Sequence, residues 1–212
     1  ITTLAGPVVA VNEHSSDPHY EPTEGFSRPI LRGDWLLIDL WGRELGDRSV
    51  YADITWTAYV GRDAPRKIVE VFNTVLDARD AAVSSLMQAH REGRSLLGQE
   101  VDTVARNVIA HAGFSENFTH RLGHSIGSDV HGNGPNLDGF ETSDSRRLIP
   151  GLGFSVEPGI YLRDFGVRSE INVYLGVDGP ETTTDPQREI VLIDVDYPQK
   201  FVTLQHQHIL GT

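Results

Sequence analysis

Apolar positions change their period twice along this chain. Through about Gly61 they alternate in short runs broken by turns, so GPVVAVNEH, GDWLLIDLWG and SVYADITWTAYVG read as strands, with the polar loop SSDPHYEPTEG after the first. From Ala64 to about Glu92 the period becomes helical: Ile68, Val71, Phe72, Val75, Leu76, Ala82, Val83 and Leu86 recur on one face, Pro65 is tolerated in the first turn and Gly93 ends the element. A second helix is predicted from about Gly98 to Ala112, stopping at Gly113. From Phe118 onward strands and turns return, divided by the loop GNGPNLDGFETSDSRRLIPG. Strands, then helices, then strands predict an α+β fold.

The strand regions carry acids in pairs. Folding FSVEPGIYL back onto GVRSEINVYL about the turn Arg163, Asp164, Phe165 and Gly166 places Glu157 opposite Glu170. Folding IDLWGRELGDRSVYADITW about Gly46 sets Asp39 against Asp53, with a register less firmly fixed because that turn is longer. Facing residues on paired strands have β-carbons about 4.5–5.5 Å apart, and like charges there are destabilising. One isolated acid on a strand is ordinarily a solvated surface residue. Two facing pairs need protons, cationic neighbours or metal ions. Two divalent cations would neutralise the four carboxylates, and oxygen ligands joined by an imidazole suit Mn, Co or Zn.

That imidazole is supplied by HRLGHSIGSDVHG, with His120, His124 and His131. Gly123 and Gly127 disfavour a helix, and on a strand His120, Leu122 and His124 would share a face. His19 lies in the loop DPHYEPTEG. His14, His90, His111, His206 and His208 lack partners in sequence and read as ordinary solvated side chains.

At 212 residues with 39% apolar composition the chain is long enough for one sizeable domain, taken as 1–212. A formal charge of −12 argues against a nucleic-acid partner or an anionic membrane surface. No apolar run reaches the length of a membrane span, and ITTLAGPVVAV lacks the basic start of a signal peptide. Zero cysteines exclude disulfides, thiolate metal sites and cysteine nucleophiles, and fit an expected cytoplasmic location. One asymmetry stands out: helices precede the second strand region and none precedes the first. The expectation is a catalytic domain incomplete at its N-terminal side, completed by a further segment, another chain or a homo-oligomer.

In these residues the chain resembles the pita-bread metallopeptidase family, which contains methionine aminopeptidase, prolidase and X-prolyl aminopeptidase. The similarity runs from about His19 to Gly176. GDWLLIDLWG resembles the segment carrying the first aspartate, YADITWT the second, GHSIGSDVHG the histidine segment, FSVEPGIY the first glutamate and GVRSEINV the last. The resemblance implies two pseudo-symmetric halves of curved antiparallel sheet with covering helices. It also implies two divalent metal ions, Mn foremost with Co or Zn as alternatives: Asp39 on one, His124 and Glu157 on the other, Asp53 and Glu170 bridging. His19, His120 and His131 are similar to the substrate-binding histidines of the X-prolyl aminopeptidase and prolidase branch, so the implied partner is a peptide with proline at the second position.

The resemblance further implies that Glu157 shuttles a proton for a metal-bridging hydroxide, with His131 and His120 assisting. Arg168, two residues before Glu170, is expected beside a ligand carboxylate, with Tyr161 and Thr55 as further supports. Two departures are visible: the aspartates are fourteen residues apart, wider than in most relatives, and Trp56 stands where arginine is usual. Rival readings are a methionine-aminopeptidase-like or other amide hydrolase on the same site, and a non-catalytic binding protein that keeps the ligands.

Overall fold

A computed structural model describes residues 1–194 apart from Leu4 and Phe26; His206 and His208 lie outside the described residues. The order is β1 (Val8–Val11), a 3-10 turn (Asn12–Ser16), β2 (Trp35–Gly42), β3 (Ala52–Tyr59), α1 (Arg66–Arg91), α2 (Gly98–His111), a 3-10 turn (Ser115–Asn117), β4 (Ser125–Ile126), β5 (Leu152–Val156), β6 (Gly159–Tyr161), β7 (Gly166–Arg168), β8 (Ile171–Gly176), β9 (Gly179–Thr182) and β10 (Val191–Leu192). The expected strand, helix, strand order is observed, with both helices ending where glycine takes a positive φ, +67° at Gly93 and +88° at Gly113. The short parallel β10 was not anticipated.

The first half is a sheet of order β1-β2-β3-β10, the second a sheet of order β4-β5-β8-β9 with the ribbon β6-β7. Burial alternates along β3: Asp53, Thr55 and Thr57 are buried while Ala52 and Trp56 are exposed. The buried face meets the second half. Asn172 holds the backbone of Asp53 from both sides, its Oδ1 accepting the N–H at 2.8 Å and its Nδ2 donating to the carbonyl at 2.7 Å. The Glu170 N–H donates to the Thr55 carbonyl at 3.2 Å, and the Trp35 indole N–H to the Gly166 carbonyl at 2.7 Å. Gly166 is required here, because a β-carbon would lie 1.9 Å from the Ser15 carbonyl oxygen.

Both helices serve the second half. The buried stripe of α1 (Ile68, Val71, Phe72, Val75, Ala82, Leu86) joins Val101, Ala105 and Ile109 of α2 in one core with Phe154, Val156, Ile160, Val167, Ile171 and Val173. On the outer face of the first sheet, among the described residues, Val11, Leu36, Ala58 and Val60 form a small cluster, with Ile193 against it. Leu40 and Trp56 on that face stay 43% and 37% exposed. The asymmetry read in the sequence is therefore present in three dimensions.

Candidate metal centre

The two acidic hairpins face each other across the seam between the halves. In the second, Val156 pairs with Ile171 and Gly159 with Arg168, so the register runs unbroken and Glu157 falls opposite Glu170. The ladder opens at those two residues. The Glu157 N–H turns to the Leu122 carbonyl at 2.8 Å, and the Glu170 N–H goes to β3. In the first hairpin the expected facing of Asp39 and Asp53 is corrected: Asp39 pairs with Thr55, and Asp53 with Trp41. The nine-residue connection from Arg43 to Tyr51 centres on Asp47 instead of Gly46, a slip of two residues. A slip of two preserves the face, so both aspartates still point into the site.

The histidine segment also departs from a simple strand, because β4 begins only at Ser125. Leu122 enters the apolar core at 0% exposure, while His120 and His124 line the site cavity. Gly123 packs directly on β5, and a β-carbon there would lie 2.0 Å from the Ser155 carbonyl oxygen. The segment is held from α2: Asp102 accepts the Leu122 N–H at 2.8 Å, and Arg106 donates to the carbonyls of Phe118 and His120 while paired with Asp102.

Asp39, Asp53, His124, Glu157 and Glu170 converge on one cavity of about 480 Å³, whose walls also include His19, His120, His131 and Arg168. Asp53, His124 and Glu170 each offer a ligand atom, all within 4.8 Å of one another. His124 Nδ1 lies 3.2 Å from the Ser125 carbonyl oxygen, an acceptor only, so Nδ1 carries a proton and Nε2 is the ring nitrogen that faces the acids. Nε2 is 3.4 Å from Asp53 Oδ2 and from Glu157 Oε1. The fit to a metal is written in unmet needs. Asp39 Oδ1, Asp53 Oδ1 and Glu170 Oε1 are buried without a hydrogen-bond donor among the described residues. Orphaned acceptors of this kind cost about 1–3 kcal/mol each, more when charged. Cations bound by these carboxylates would meet that need.

Charge in the site follows from burial. Burial pushes Asp39 up to about 6 despite the opposing Arg168, and burial with the charges of Asp53 and Glu157 raises Glu170 well above the carboxylate range. For Glu157 burial acts upward too, but His124, His120 and Arg168 outweigh it and hold the carboxyl below its ordinary value. Burial disfavours charge on His124, and Asp53 and Glu157 more than offset it, so its pKa is raised. Burial drives His120 down to about 4. Burial and the neighbouring His124 also lower His131, whose ring stands edge-on to His124 at 4.3 Å.

Arg168 binds the supports together. It pairs with Asp39, donates from Nε to Thr55 Oγ1 at 3.1 Å and from Nη1 to the Tyr161 hydroxyl at 3.2 Å. Thr55 in turn donates to Glu170 Oε2 at 2.8 Å. Tyr161 lies 2.8 Å from His120 Nε2, while His120 Nδ1 is 2.7 Å from the Arg121 carbonyl oxygen, so both ring nitrogens of His120 are engaged within the protein. His19 is exposed at the rim. Sequence reading missed Ser155, whose hydroxyl accepts the His124 N–H at 2.9 Å and donates to Glu157 Oε1 at 3.0 Å. It also missed Asn172 and the fully buried Arg79, which donates to Ser169 Oγ at 2.8 Å. Ser155 and Asn172 each stand two residues from a predicted ligand, a same-face spacing that would have flagged them.

The sequence profile of metallopeptidase family M24 matches residues 3–176. The chain belongs to metallopeptidase family M24. A Xaa-Pro dipeptidase of Pyrococcus horikoshii is 32% identical over 185 residues, covering 87% of this chain and 48% of that protein. Among solved structures, dipeptidase PepE of Mycobacterium ulcerans superposes with a TM-score of 0.77 at 30% identity, covering 90% of this chain and 47% of that one. X-Pro aminopeptidase of Thermotoga maritima gives 0.75 at 33% identity, covering 88% and 48%. The chain thus spans about half the length of the relatives it matches, and shares with them the pita-bread α+β fold. Residues 184–212 also match a putative RNA-binding domain in YlmH, a stretch described here only to residue 194. No helix among the described residues is long and apolar enough to cross a membrane.

Proposed function

We propose that this M24 domain is the catalytic part of a dinuclear-metal-dependent peptidase that cleaves peptides or dipeptides after the residue preceding proline. The observation carrying this reading is the set of three donor-free buried carboxylate oxygens on Asp39, Asp53 and Glu170, gathered in one cavity with His124 and Glu157. Asp39, Asp53, His124, Glu157 and Glu170 would hold two divalent ions, manganese being the preferred candidate for an oxygen-rich set with one imidazole. When bound, such ions polarise a carbonyl and make water acidic enough to attack near neutral pH.

The chain's own groups supply the rest. Glu157, kept ionised by its cationic neighbours, accepts the proton from the attacking water and returns it to the leaving proline nitrogen. Ser155 fixes Glu157 Oε1 during that transfer. His131, neutral and at the cavity wall, donates a hydrogen bond to the carbonyl oxygen as negative charge builds on it. His120, clamped between Arg121 and Tyr161, shapes the leaving-group side. Arg168 keeps Asp39 aimed into the cavity. Names borne by the relatives, Xaa-Pro dipeptidase and X-Pro aminopeptidase, support the proline-directed choice over an N-terminal methionine substrate.

Metal content and turnover measured together test the reading, using an X-Pro dipeptide, a longer X-Pro peptide and a Met-Ala peptide. Two equivalents of metal with cleavage confined to the X-Pro substrates is the expected result. Bound metal without any turnover would instead identify a binding protein.

A further inference from the structure

We propose that Arg79 on α1 is a positioning residue for the metal centre, fixing the separation of Glu170 and Asp53 by holding Ser169 and Gln187 together. This deepens the peptidase reading and rests on its metal site. Three alternate residues on the buried face of β3 give backbone groups to the C-terminal part of the chain. Asn172 takes both groups of Asp53, and the Glu170 N–H takes the Thr55 carbonyl. Gln187 takes Thr57: its Oε1 accepts the Thr57 N–H at 2.8 Å and its Nε2 donates to the Thr57 carbonyl at 2.7 Å. Gln187 therefore grips β3 as Asn172 does, on the same face as Asp53. It belongs to no strand of its own, since β9 ends at Thr182 and β10 begins at Val191.

Arg79 supplies the anchor that Gln187 lacks. Its Nη1 donates to the Gln187 carbonyl and to Ser169 Oγ, each at 2.8 Å, and Ser169 lies between Arg168 and Glu170 in the chain. One nitrogen thus joins the grip on the aspartate strand to the segment that carries the last glutamate. The helix behind it is firmly seated, with Val75, Ala78 and Ala82 all at 0% exposure. Arg79 itself is 1% exposed, where an apolar side chain is the rule and a guanidinium is costly unless its donors are met. Among the described residues its ionic partner is Asp80, whose side chain is 60% exposed, while Nη1 goes to neutral oxygens. Charge pairing alone does not account for an arginine there; a planar fork spanning two segments does. Asp53 and Glu170 offer ligand atoms within 4.8 Å of each other, so a shift of about 1 Å between their strands is felt directly by a bound ion.

The test is a calorimetric manganese titration of wild type, Arg79→Gln, Arg79→Lys, Ser169→Ala and Leu86→Ala, each started metal-free, beside their melting temperatures. Arg79→Gln should weaken the less tightly held manganese about 10–100-fold, Ser169→Ala should weaken it in the same direction, and Arg79→Lys should recover part of the loss. Leu86→Ala opens a cavity along the same helix without touching the network, so it should lower the melting temperature and leave manganese binding as in wild type. Arg79→Gln with wild-type affinities, or Leu86→Ala losing manganese to the same extent, would reduce Arg79 to a fold-stabilising residue and overturn the inference. Should Arg79→Gln not fold, Ser169→Ala and Arg79→Lys decide: unchanged binding in both overturns the inference. A wild type that takes up no manganese would overturn the metal centre and this inference with it, whereas the other adverse results sink the inference alone.

Discussion

Arg168 on β7 forms an ion pair with Asp39 on β2, and this pair joins the two halves at the point where the acids converge. Its guanidinium also reaches Thr55 and Tyr161, so one planar group orders three neighbours. Lysine keeps the charge and loses the fork. Arg168→Lys is expected to lower kcat about 10–100-fold with metal stoichiometry retained. Steady-state kinetics beside elemental analysis checks this, and an unchanged rate would show that charge alone suffices.

Glu157→Gln preserves the shape of the side chain and its contact with Ser155 but removes the proton acceptor. Hydrolysis should fall by at least about 10²-fold with the circular dichroism spectrum unchanged. His131→Ala should reduce kcat while leaving the metal site filled, since the His131 ring packs beside His124 from the cavity wall. A Glu157→Gln protein with bound metal and wild-type turnover would contradict the assigned role.

Glu170 gives a pH signature in the metal-free protein. Its folded pKa lies well above its ordinary 4.5, first because it is buried and then because Asp53 and Glu157 are near. A carboxyl with a raised folded pKa binds its proton more tightly in the native state, so its contribution is lost as pH rises through that folded value. His120, driven down to about 4, works in the opposite sense. The comparison must therefore be between variant and wild type. With chelator present, Glu170→Gln should melt at a higher temperature than wild type at pH 8, and the gap should close towards pH 4. A Glu170→Gln protein less stable than wild type at pH 8 would refute the argument.

Asp144 anchors the long loop before β5. The Arg146 hydrogen bond, with further help from the N–H groups of Asn136 and Arg146, holds its carboxyl down to about 2. Asn136 in turn accepts the N–H of Ser125, the neighbour of His124, at 3.0 Å. A depressed folded pKa contributes stability above the ordinary value of 3.8 that is lost as pH falls towards 2. Asp144→Asn is expected to cost about 1–3 kcal/mol in urea denaturation at pH 7, narrowing below pH 4. An equal loss at both pH values would assign the effect to shape instead of charge.

Much of this was legible because it is local. Pro65, Gly93 and Gly113 mark the helix limits, and the tight turn before Gly166 fixes the pairing of Glu157 with Glu170. The longer turn after Gly42 left the Asp39 register open by two residues, an error that alternation of faces made harmless for the site. What sequence concealed is long-range. The spacing of Asn172 from Glu170 marks its face but not its partner Asp53, 119 positions away, and Arg79 reaches Ser169 across 90 positions with no local period to announce it. Leu122 was misplaced because the close approach of Gly123 to Ser155 bends the chain there, sending Leu122 into the core.

The most direct test is anomalous diffraction from crystals of this chain grown with manganese. Two anomalous peaks in the cavity, touched by Asp39, Asp53, His124, Glu157 and Glu170, are the expected result. Density absent from that cavity at saturating manganese, or peaks ligated by other residues, would contradict the metal centre and the peptidase chemistry built on it.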